Sequence, residues 1–106
     1  MHLQLVSVEQ AKKLKELGFD WSVDRYYGGR YPAPFVALAL KWFRDEKDLL
    51  NSINISGQDV DNYNIWYEYL TPNSYERSTA FLYYEEAESA LLDALIEYAE
   101  GKEWDM

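Results

Sequence analysis

Few of the side chains that ordinarily carry chemistry occur in this chain, and their spacing narrows what they could do. Its one histidine, His2, sits beside the first residue. A Ser-His-Asp triad, a histidine general base and a histidine-based metal site therefore have nothing to build on. There is no cysteine, so disulfides, thiolate nucleophiles and cysteine-based zinc sites are closed as well. Carboxylates are what remains. Asp59 and Asp61 flank a turn, while Asp45, Glu46 and Asp48 close a helical stretch. Paired acids can hold a hard cation or share a proton. Yet Asp59-Val60-Asp61 lacks the rest of a calcium loop, and Glu85-Glu86 has no histidine beside it. Tyr27-Gly28-Gly29-Arg30 is glycine-rich but matches neither the phosphate-binding loop nor the dinucleotide fingerprint. The residues thus assign no catalytic, cofactor-binding or metal-ligating position. A carboxylate-based, metal-dependent hydrolase is the one enzymatic expectation left.

Aromatic density points elsewhere. Ten Tyr, four Trp and four Phe make up 17% of the chain, more than one small core needs. Tyr26, Tyr27, Tyr31, Trp66, Tyr75, Tyr83 and Trp104 fall in turns, at helix starts or on the less apolar strand face. Tyr and Trp beside Arg match the composition of protein interfaces. Tyr26, Tyr27, Arg30 and Tyr31 form one candidate interface patch, and Trp66 is a further candidate.

Charge selects among partners. Nineteen acidic against ten basic side chains give a net charge of −9, which repels phosphate backbones and anionic lipid heads. Lys12, Lys13 and Lys15 are the nearest approach to a basic cluster, and they read as a solvated helix face. Direct nucleic-acid binding is disfavoured. The longest apolar run, Phe35 to Leu40, is far too short to span a membrane. The start, MHLQLVSVEQ, shows no secretory signal, so a cytoplasmic location is expected.

The elements that must position these residues follow from local pattern. Ser7 with Gln10 three residues later is a capping box. It predicts a helix with Val8, Ala11, Leu14 and Leu17 on its apolar stripe and Gly18 as its stop. Residues 19 to 27 read as extended, and residues 27 to 32 as a turn. A second helix is expected from near Pro34 to about Glu46, apolar over more than half its circumference from Phe35 to Phe43. Leu49–Ile55 and Val60–Leu70 read as strands joined by Ser56–Asp59. In the second strand Tyr63, Ile65, Tyr67 and Tyr69 would face the helices and Trp66 the opposite side. After a loop at Thr71–Ser74, a third short strand is expected at Ser78–Leu82. A last helix is expected from Tyr84 to Glu100, ended by Gly101. That order gives an α+β two-layer sandwich in one domain, residues 1 to 106, with an antiparallel sheet of two to four strands packed against three helices.

Three stretches, VSVEQAKKLKELGFDWSVDRYY, PAPFVALALKWFRDEKDLLNSI and YYEEAESALLDALIEYA, resemble a small-protein family of Bacteroidetes prophages and mobile elements with no known activity. Pro34, Ala39, Trp42, Phe43, Arg44 and Asp45 carry its middle motif approximately. Tyr84, Glu85, Glu86, Ala87 and Ala90 carry its closing one, although Tyr83 stands where that family commonly has a Thr or Ser cap. The resemblance implies a mobile-element origin and transfers no cofactor. The functional expectation is a non-enzymatic accessory domain acting through a protein partner or as a homodimer. The alternative is an acidic nucleic-acid-mimic decoy.

Overall fold

In the computed structural model, residues 3–59 and 62–104 are described; His2, Val60 and Asp61 lie outside them. The elements run α1 (Val8–Glu16), β1 (Tyr26–Tyr27), β2 (Tyr31–Pro32), α2 (Val36–Glu46), β3 (Asn51–Asp59), β4 (Asn62–Leu70), β5 (Tyr75–Arg77) and α3 (Tyr84–Trp104). Two antiparallel sheets, β1-β2 and β3-β4-β5, accompany three helices, the α+β class expected from the sequence.

α1 starts as the capping box requires. The Ser7 hydroxyl accepts from the Gln10 amide at 3.1 Å, and the Ser7 amide donates to Gln10 Oε1 at 2.9 Å. Gly18 follows the helix at φ 97°. The buried stripe is Gln10, Ala11, Leu14 and Leu17; Val8, expected on it, is 42% exposed because it occupies the first helical turn ahead of the packing face. Phe19 is buried and Trp21 and Val23 are half-buried between exposed neighbours, so the alternation is real although no strand forms before Tyr26. Gly28 and Gly29, at φ 58° and 69°, supply the two left-handed central positions of a tight turn, closed by the Arg30 amide on the Tyr27 carbonyl.

α2 begins two residues later than the Pro34 start expected. Pro34 and Gln4 accept amides from Val6 and Val36, at 3.0 and 2.8 Å, which ties the chain's start to the segment before the helix. Phe35 becomes the N-cap and is 41% exposed. Val36, Ala39, Leu40, Trp42 and Phe43 are buried against Leu91, Leu92, Leu95 and Ile96 of α3 and the α1 stripe. Ile53, Tyr67 and Tyr69 pack half-buried on this core from the sheet side.

Three further boundaries differ from the sequence reading. Ser56 and Gly57, expected in the connection, pair with Asn64 and Tyr63. Ladder bonds there outweigh the turn preference of Ser and Gly. The third strand is Tyr75–Arg77 rather than Ser78–Leu82. It starts directly after the Thr71–Ser74 turn and pairs with Leu70, Tyr69 and Glu68, while Phe81 makes only an isolated bridge to Ile65. Gly101 does not end α3, which continues to Trp104. A terminating glycine needs positive φ, and Gly101 lacks it.

Candidate protein-interaction surface

The β3-β4-β5 sheet has one face on the helices. Antiparallel register then decides which side chains share the other. Asn54 lies opposite Trp66 and Ser52 opposite Glu68. Arg77 lies opposite Glu68 and Tyr75 opposite Leu70. Because side chains alternate along a strand, these residues form one outer patch. The Arg77 guanidinium stands 4.6 Å from the Trp66 ring centroid, within cation–π range. The Trp66 indole donates to Glu68 Oε1 at 2.9 Å, and Tyr75 and Asn54 also bond the Glu68 side chain. Trp66 is half-buried under this cover, whereas Tyr75 is 55% and Leu70 42% exposed.

Electrostatics follow from those bonds. The Trp66 indole, with Tyr75 next, holds the Glu68 carboxyl below its usual value by donating to the ionised form, and Arg77 adds attraction. The same carboxylate pushes the Tyr75 phenol up. On the inner face, burial followed by the charge of Glu76 raises Tyr67 and Tyr69. These rings stack in a row with Phe81, at 6.2 Å for Tyr67–Tyr69 and 6.0 Å for Tyr67–Phe81.

The β1-β2 turn does bring Tyr26, Tyr27, Arg30 and Tyr31 together, with Tyr27 opposite Tyr31. Much of that patch is turned inward, however. The Tyr27 hydroxyl donates to the Val6 carbonyl at 2.6 Å, and both Tyr27 and Tyr31 pack on the core. Lys12, Lys15 and Arg30 lie 5.5 to 5.9 Å from the Tyr31 ring. Tyr26, at 52% exposure, is the tyrosine left facing solvent there. Trp66 stands in the other sheet. Alternation along β4 already set Glu68 and Leu70 on the face of Trp66, and Tyr75 stood among the surplus aromatics. Sequence reasoning missed Arg77 and the meeting of Tyr75 and Arg77 with that face, which depends on the register of β4 with β5.

Rings engage many of the cations. Lys41 lies over Trp21, Lys47 over Trp42 and Arg77 over Trp66, besides the three around Tyr31. Among the described residues, ion pairs are limited to Lys13–Glu100 and Lys41–Asp45. Part of the aromatic surplus therefore works as seats for cations. No group of three or more His, Cys, Asp or Glu side chains among the described residues is arranged to hold a metal. A groove of about 280 Å³ between the chain's start and the residues before α2, lined by Leu5, Val23, Pro34, Phe35 and Leu38, has only Asp24 and Arg25 as charged wall groups. No helix among the described residues is long and apolar enough to cross a membrane. Compared with known proteins, the chain matches no protein family, no curated protein and no solved structure.

Proposed function

We propose that this chain is a non-enzymatic accessory domain that works by protein contact, through the outer face of the β3-β4-β5 sheet. One observation carries the reading. An uncovered sheet face holds Trp66 between Arg77 and Glu68 and presents Tyr75 and Leu70 beside it. Aromatic side chains with Arg at the centre of a patch are what protein interfaces use as anchors. Rigid aromatics also lose little conformational freedom on binding. The partner is another protein or a second copy of this chain. Such an adaptor suits the mobile-element origin suggested by the three resembling stretches.

The decoy alternative asks for solvated carboxylates in a row. Several candidates are already committed: Asp93 to Gln10, Glu100 to Lys13, and Glu68 to Trp66 and Tyr75. That favours the contact reading.

The test is affinity capture from the native cell with the wild type, a Tyr75→Ala/Arg77→Glu variant and a Tyr26→Ala variant. Loss of the bound protein with the first variant and its retention with the second is expected. Full retention with Tyr75→Ala/Arg77→Glu would remove the outer face from consideration.

A further inference from the structure

We propose that the open edge of β3 pairs antiparallel with the same edge of a second copy, joining two three-stranded sheets into one of six. This goes beyond the outer-face reading: it adds a second contact surface, at the sheet edge, and names the strand that makes it. The Leu70 amide donates to the Leu50 carbonyl, which makes 50:70 a hydrogen-bonded pair. Since such pairs alternate with non-bonded ones, Ser52, Asn54 and Ser56 bond inward to β4. Ile53, Ile55 and Gly57 then aim their amides and carbonyls away from it. The opposite strand agrees: Ile65 and Tyr67 direct their backbone bonds to Phe81 and Ser78, on the β5 side. Among the described residues, nothing bonds the outward backbone groups of Ile53 and Ile55.

Exposed edges are ordinarily blocked by Lys, Pro, charge, shortness or a covering element. β3 is nine residues long, and positions 51 to 58 carry neither charge nor proline. In a chain of net charge −9, this strip lets two copies meet without opposing carboxylates, whereas a basic partner would gain nothing from it. Its limits fix the register. Among the described residues, the hydrogen bonds tying β3 to α2 are all at Asn51, and a bulge falls between Gly57 and Asp59. Of the residues between them, those whose backbone groups face outward, Ile53, Ile55 and Gly57, are centred on Ile55, which is 62% exposed. A two-fold axis there sets Ile55 against its own copy and Ile53 against Gly57, each burying apolar surface the monomer leaves wet. The contact is self-complementary and closes at two.

Sedimentation at about 100 μM, where micromolar association is well populated, should give twice the 12.5 kDa of the chain. Ile55→Pro should give a folded monomer, because a proline whose amide position faces outward leaves the β3-β4 ladder intact. A monomeric wild type overturns the proposal, as does a folded Ile55→Pro that stays dimeric. Should Ile55→Pro unfold, Ile55→Lys decides: it sets two ammonium groups together at the axis, so a folded monomer supports the edge contact and a folded dimer overturns it. Tyr75→Ala/Arg77→Glu should leave the dimer mass unchanged. Failure of the edge contact and failure of the outer face are thus read separately.

Discussion

Gln10 is where the logic of the fold can be tested most sharply. It is 4% exposed and uses both ends of its amide. Its oxygen accepts from the Ser7 amide, and its nitrogen donates to Ser89 Oγ at 3.2 Å and Asp93 Oδ1 at 2.9 Å on α3. Either Glu or Gln completes a capping box, but only Gln also donates, which explains the Gln here. Gln10→Leu removes the cap acceptor and the donor while filling the space. Two to three hydrogen bonds at about 1 kcal/mol each, less the apolar gain, give a loss of about 2 kcal/mol. Gln10→Glu keeps the cap acceptor but turns a carboxylate toward Asp93 in a buried site. At neutral pH the loss should be about 3 to 5 kcal/mol, within the range for a buried uncompensated charge. For a domain of this size that is roughly 15–30 °C in melting temperature. The sign of the pH dependence follows. Burial and like charge raise the carboxyl's folded-state pKa, so the folded protein binds the extra proton and the penalty fades as pH falls through that raised value. Denaturation followed by circular dichroism from neutral to mildly acidic pH checks this. Equal losses for Leu and Glu at every pH would refute the donor role of Gln10, and so would a Glu variant as stable as the wild type at neutral pH.

Other consequences are open to measurement. Glu68 sits below its usual value because Trp66 and then Tyr75 donate to it, so its contribution is present above the ordinary carboxylate range and lost as pH falls through its lowered folded value. The melting-temperature gap between wild type and Glu68→Gln should therefore be flat near neutrality and close in acid; a gap that widens in acid would contradict the bonding. Tyr27→Phe should cost about 1 kcal/mol in urea denaturation, the worth of one hydrogen bond, and a neutral result would remove the Val6 contact from the fold's support. Gly29→Ala should cost about 1 to 2 kcal/mol for a left-handed residue with a Cβ, whereas Asp48→Gly, at φ 56°, should stabilise by up to about 1 kcal/mol. Shifts of the same sign would contradict the turn geometry.

Local chemistry was legible in the sequence and long-range pairing was not. Ser7 with Gln10 announced the first helix and Gly18 its end, since a cap needs only neighbours. The second use of Gln10, on Ser89 and Asp93, spans most of the chain and leaves no local mark. Alternation in β4 placed Ile65, Tyr67 and Tyr69 inward and Trp66 outward, as observed. It could not show that Ser56 and Gly57 would stay in the ladder, because the partners that hold them belong to another strand. Tyr27 and Tyr31 were gathered into one patch by their spacing. Their inward engagement depends on the Val6 carbonyl and on Lys12 and Lys15 of α1, whose proximity is a tertiary fact. Gly101 shows the same limit: composition suggests a stop, and helical backbone on both sides carries α3 through it.

The sharpest test of the contact reading is oxidative footprinting of the protein alone and in its captured complex, reading Trp66, Tyr75 and Tyr26 separately. Protection of Trp66 and Tyr75 on binding, with Tyr26 unchanged, is the expected result. Unchanged reactivity at Trp66 and Tyr75 together with protection of Tyr26 would contradict it and move the contact to the β1-β2 turn.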